Sequence, residues 1–108
     1  MPRYYAGRVS ATGTINTNSD VLAVRNSTGN YTLTIPGTGS LKWVITMITP
    51  SNPSATPDES KVLARVTSTT RSGTAPYPTT VVVLLYDWWT GDPLDSPFEF
   101  IALERSGS

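Results

Sequence analysis

Residues Val81 to Trp89, VVVLLYDWW, are apolar at every position except Asp87. Read as an extended strand, they place Val81, Val83, Leu85 and Trp89 on one face and Val82, Leu84, Tyr86 and Trp88 on the other. An antiparallel strand ordinarily shows one apolar and one polar face, so a strand apolar on both faces requires a covering layer on each side. Leu41 to Thr49 repeats the pattern, with Leu41, Trp43, Ile45 and Met47 expected inward and Val44 and Ile48 on the opposite side. Pro97 to Leu103 does so again, burying Phe98 and Phe100 and showing Ile101 and Leu103. Packing two sheets covers one face of each strand. For a chain of 108 residues the second cover is expected to be another copy of the same chain, with cover by its own loops and sheet curvature as the alternative. Val44, Ile48, Val82, Leu84, Ile101 and Leu103 are the residues expected to meet it.

Threonine, serine, valine, glycine and proline dominate the rest of the chain, lysine is scarce and glutamine absent, a balance that favours pleated strands and turns over helices. Seven main strands are expected, spaced about every 8 to 12 residues as in sandwiches and barrels. The first runs from about Tyr4 to Ile15, bent or bulged at Gly7 or Gly13. Asp20 to Asn26 and Asn30 to Pro36 follow as a hairpin closed by Asn26-Ser27-Thr28-Gly29-Asn30, whose residues tolerate positive φ. In the second arm Tyr31, Leu33 and Ile35 alternate with Thr32 and Thr34, so the larger set faces the core. The segment Pro50 to Ser60, with Pro50, Pro53 and Pro57, reads as a loop, and so does Arg71 to Pro78. Lys61 to Thr70 lies between them as a strand. The expected fold is therefore an all-β, antiparallel β-sandwich, jelly-roll-like or Greek-key, of about seven to eight strands in a single domain over residues 1–108. Tyr31, Leu33, Ile35, Trp43, Ile45 and Phe100 form its expected core.

Composition bears on function mostly by exclusion. Eight basic residues balance eight acidic ones, which leaves no net field to attract nucleic acid. Neither cysteine nor histidine occurs, so the thiolate and imidazole ligands, and the general base best matched to neutral pH, are missing. No cofactor is expected, nor an enzymatic role. The longest wholly apolar run, Val81 to Tyr86, is far short of the roughly 20 residues of a membrane helix, and the first residues have no stretch of signal-peptide length. No membrane insertion is expected.

Three groups of side chains stand out as site candidates. Asp87, Asp92 and Asp95 surround the turn after the Val81 strand, where carboxylates could hold calcium; ordinary turn chemistry accounts for them more simply, and no metal site is expected. Tyr77, Trp88 and Trp89 could form an aromatic platform for a ligand, since exposed rings stack on sugars and supply rigid contact area. On a strand, adjacent tryptophans point to opposite faces, so one of Trp88 and Trp89 is expected to be buried. Asn26 and Asn30 each begin an N-x-[ST] sequon within one hairpin, a pattern that arises by chance in a threonine-rich chain.

The segment Val24 to Pro36, VRNSTGNYTLTIP, resembles a pattern common in the head domains of phage and bacterial fibres, in which a Gly turn leads into a G-x-Y-x-[LVI]-x-[IFL] strand. Here the matching residues are Gly29, Tyr31, Leu33 and Ile35, with Arg25 before and Pro36 after. Ala11-Thr12-Gly13-Thr14-Ile15 and Phe98-Glu99-Phe100 are also similar to such domains. The resemblance implies a trimeric β-sandwich knob on a virion or bacterial surface, or a small virion decoration protein. Its partners would be copies of itself, other virion proteins or a cell-surface glycan. A monomeric carbohydrate-binding module is the competing expectation.

Overall fold

The computed structural model describes residues 3–16, 20–37, 42–50 and 62–106. Eight strands build two four-stranded antiparallel sheets: β1 (Arg3–Val9), β2 (Ile15–Asn16), β3 (Leu22–Ser27), β4 (Asn30–Ile35), β5 (Lys42–Pro50), β6 (Val62–Arg71), β7 (Thr79–Asp87) and β8 (Phe98–Ser106). The first sheet has the order β2-β1-β8-β5 and the second β3-β4-β7-β6. The domain is thus an antiparallel β-sandwich, as expected. The β3–β4 and β6–β7 hairpins share the second sheet through the β4–β7 pairing, while β5, between them in sequence, lies in the other layer beside β8. The first and last strands pair along their length, Arg3 opposite Glu104 and Val9 opposite Phe98.

The single first strand expected from the sequence is two. Ser10 N–H donates to Thr14 O at 2.8 Å and Gly13 N–H to Ser10 O at 2.9 Å, a tight turn that reverses the chain into β2. Gly13 sits at φ +95, where a side chain is strained. A Cβ there would also lie 2.9 Å from the backbone nitrogen of Arg25. The β3–β4 hairpin closes at Gly29, φ +70, with a bulge between Arg25 and Ser27.

The core forms where period-two patterns of the two sheets meet. Tyr31, Leu33 and Ile35 of β4 and Val81, Val83 and Leu85 of β7 are fully buried, facing Val9 of β1 and Phe98, Phe100 and Ala102 of β8. The Tyr31 and Phe98 rings meet edge to face, with centroids 5.1 Å apart and planes at 66°. Val62, Ala64 and Val66 of β6 close one side.

Strand β5 reverses its expected facing. Ile45, assigned to the core from the sequence, is 49% exposed and Met47 60%, whereas Val44 and Ile48, assigned to the outside, pack against the core. The register with β8 decides this: Val44 lies opposite Glu104 and Ile48 opposite Phe100, both inward, while Ile45 and Met47 lie opposite Leu103 and Ile101. Leu41, the side chain of Trp43 and residues 51–61 lie outside the described residues, and so do the expectations placed on them.

Candidate functional site

At one end of the sandwich the 10–14 turn, the β3–β4 turn and the β7–β8 connection converge on Asp95. Arg25 is paired with Tyr31 across the hairpin, so it shares the inward side of β3 at the mouth of the core. Asp95, 70 residues later, meets the Arg25 guanidinium there. Arg25 Nε donates to the two carboxylate oxygens at 3.0 and 3.1 Å, and Nη2 lies 2.8 Å from Oδ2. Oδ1 also accepts from Gly29 N–H at 2.8 Å. The Tyr31 hydroxyl donates its one proton to Ala11 O at 2.6 Å and lies 3.3 Å from Asp95 Oδ1.

The electrostatics follow from these contacts. The Arg25 guanidinium, then the Gly29 N–H, hold the Asp95 carboxyl below its ordinary value despite some desolvation. Burial, reinforced by the Asp95 charge, pushes the Tyr31 phenol up to about 12. Both groups keep one protonation state across the neutral range, which suits a latch and not a proton-transfer pair.

Beyond β7 the chain makes a braced turn. Asp87 Oδ1 accepts from Trp89 N–H at 2.7 Å and Thr90 N–H at 3.4 Å, and Asp87 O accepts from Gly91 N–H at 2.6 Å. Asp92 N–H donates to Thr90 Oγ1 at 3.2 Å, and Asp92 O accepts from Asp87 N–H at 2.9 Å. Gly91 supplies the positive φ, +78, that ends the turn. Trp88 and Trp89 ride on it, 49% and 71% exposed, their rings perpendicular at 88° with centroids 5.0 Å apart. The expectation that one of them is buried fails because β7 ends at Asp87, so strand alternation no longer governs either ring.

The three aspartates do separate work. Asp87 caps the turn, Asp92 closes it through its backbone and Asp95 binds Arg25; among the described residues no three acidic, histidine or cysteine side chains are grouped to hold a metal. The sequon residue Asn26 spends its amide locally, donating to Asn30 Oδ1 at 3.0 Å and Thr32 Oγ1 at 2.6 Å.

Tyr77 does not join the tryptophans. It lies half-buried in the 72–78 loop, at φ +64, beside Gly37. The nine residues of β7 separate this loop from the Trp88 turn, roughly 30 Å at the usual strand rise. The aromatic platform therefore reduces to Trp88 and Trp89.

The outward faces of the two sheets differ in chemistry. On the first, cross-strand register aligns Tyr4, Leu103 and Ile45 in one row and Ala6, Ile101 and Met47 in the next, with Arg8, Glu99 and Thr49 beyond. Tyr4 is 71% exposed and Ile101 46%. On the second sheet, Val82 lies between Ser68 and Thr32, and Leu84 between Arg65 and Asn30. Neighbours on both sides leave Val82 and Leu84 half-buried. Of the six residues expected outside, Ile101 and Leu103 thus belong to a continuous apolar face, Val82 and Leu84 to a mixed hydroxyl-rich one, and Val44 and Ile48 to the interior. Tyr4, Ile45 and Met47 were missed, because only the pairing of β1 and β5 with β8 fixes which way these strands face. Neither protein-family models, nor curated proteins, nor solved structures offer a match to this chain.

Proposed function

We propose that this chain is a non-enzymatic display domain that assembles with copies of itself through the first sheet and presents the Trp88–Trp89 end outward, as a knob or decoration protein on a virion or bacterial surface. The observation that carries the reading is the pair of apolar rows, Tyr4-Leu103-Ile45 and Ala6-Ile101-Met47. Isolated exposed apolar residues are ordinary, but a contiguous patch on a flat sheet face marks an interaction surface. A chain with balanced charge opposes the approach of a second copy least. The surface-display part of the reading is supported by the fibre-head resemblance around Gly29 and Tyr31. The rigid latch at Asp95 fits it too, since it holds three loops in one fixed presentation.

Sedimentation velocity on the intact chain tests the reading. A mass above that of one 11.6 kDa chain at about 20 µM is expected, and Ile101→Glu should return it to a single folded chain by placing a charge in the contact. A monomer at that concentration would overturn it.

One observation favours a second reading, a carbohydrate-binding module. Two tryptophans held exposed on a braced turn offer a preorganised stacking surface. Quenching or blue shift of tryptophan emission with a panel of oligosaccharides, lost in Trp89→Ala, would support it.

A further inference from the structure

Among the described residues the two sheets end in four edge strands: β2 and β5 in one, β3 and β6 in the other. An open edge is a template for pairing, and proteins blunt it with shortness, charges, prolines or bulges. Strand β2 is two residues long. Strand β3 is bulged between Arg25 and Ser27, and β6 carries Arg65 and a register shift between Val66 and Ser68. Strand β5 has none of these between its two end residues. From Trp43 to Thr49 it reads WVITMIT, without charge or proline, and its nine-residue register with β8 runs unbroken. Lys42 and Pro50 stand only at its ends.

A second, independent observation lies at its midpoint. Thr46 is the central residue of the nine, and its Oγ1 is buried with no hydrogen-bond partner among the described residues. A buried hydroxyl without a partner is costly and rare in a finished structure.

We propose that β5 pairs with β5 of a second copy, antiparallel, about a two-fold axis through Thr46, joining the two first sheets into one continuous sheet. The pairing rests on the self-assembly proposed above and adds an edge contact to the face contact described there, lengthening that face without covering it. In this register Thr46 lies opposite Thr46 of the second copy, and a rotation about χ1 that turns each Oγ1 out of its own chain lets the two hydroxyls bond, one donating and the other accepting, as cross-strand threonine pairs do. Val44 faces Ile48 and Ile45 faces Met47, apolar against apolar, while Trp43 lies opposite Thr49 and Lys42 opposite Pro50 towards the two ends. The outward rows become continuous as well: Tyr4, Leu103 and Ile45 run on into the second copy's Met47, Ile101 and Ala6. A two-fold register centred one residue either way sets Thr46 against Val44 or Ile48 and leaves its hydroxyl alone. An isologous edge of this kind closes at two copies, so the edge chemistry favours a pair over the three-fold number that the fibre resemblance implies.

The chain has no cysteine, so a single introduced thiol reports the geometry. Directly opposed antiparallel residues lie about 4.5–5.5 Å apart between Cα atoms, within disulfide reach. Thr46→Cys should therefore cross-link to a dimer under mild oxidation at least tenfold faster than Thr49→Cys, whose two copies would be separated by roughly 20 Å. Cross-linking at 46 no faster than at 49, in a chain that still sediments as an oligomer, would overturn the β5 pairing and leave self-assembly standing. A monomer by sedimentation with no preferential cross-link would overturn both. If Thr46→Cys does not fold, an equimolar mixture of Ile45→Cys and Met47→Cys, two exposed positions opposed in this register, carries the test: a mixed 45–47 cross-link at least tenfold faster than either variant's link to itself supports the pairing, and no such preference overturns it.

Discussion

Arg25 and Asp95, 70 residues apart, meet in a bidentate ion pair, with Nη2 of Arg25 2.8 Å from Oδ2 of Asp95. The pair is exposed to solvent at the rim, so its charge attraction is worth little by itself. Its consequence is positional: the same carboxylate receives the Gly29 N–H, and so ties the β3–β4 turn to the β7–β8 connection.

Asp95→Ala should cost about 1–2 kcal/mol, chiefly because the buried Gly29 N–H loses its acceptor. Chemical denaturation of the variant beside the parent checks this. Arg25→Ala, which leaves that acceptor in place, should cost less.

Acid and base limbs of the stability profile follow from the same cluster. Asp95 is depressed in the folded state, so its contribution is present above the ordinary carboxylate value near 3.8 and fades as pH falls through the lower folded value. Asp95→Asn should flatten that acid limb. Tyr31 is raised, so its contribution is complete below pH 10 and fades as pH rises toward about 12. Spectrophotometric titration near 295 nm should find one of the five tyrosines ionising well after an ordinary phenol.

Two glycines with similar positive φ separate backbone strain from steric overlap. Gly91, φ +78, has open space where a Cβ would go, and Gly91→Ala should cost about 1 kcal/mol. At Gly29, φ +70, a Cβ would collide with Leu85 O and sit 2.8 Å from Leu94 N. Gly29→Ala should cost about 3 kcal/mol or more. Thermal melts of the two variants give the comparison directly.

Leu33→Ala and Ile45→Ala test the facing of β4 and β5. Leu33 is fully buried, and its truncation should cost about 2–5 kcal/mol. Ile45 is 49% exposed, and its truncation, measured under dilute conditions where chains are single, should cost less than about 1 kcal/mol. Equal losses would mean that β5 is turned the other way.

The sequence by itself determined the strands that carry polarity contrast. Tyr31, Leu33 and Ile35 alternate with threonines, and Phe98 and Phe100 flank Glu99, so a period of two selects one face without help from the rest of the chain. The Gly29 turn was legible for a similar reason, since positive φ is a local demand met by a local residue. Only the tertiary structure decided the facing of β5, because Val44 and Ile48 are as apolar as Ile45 and Met47 and alternation has nothing to distinguish; the register with β8 makes the choice. The same holds at the loop end. Trp88 and Trp89 look like the tail of a buried strand until Asp87 caps its own turn and ends β7 before them. Arg25 and Asp95 have no signature in either neighbourhood, because the attraction that joins them acts through space that folding creates.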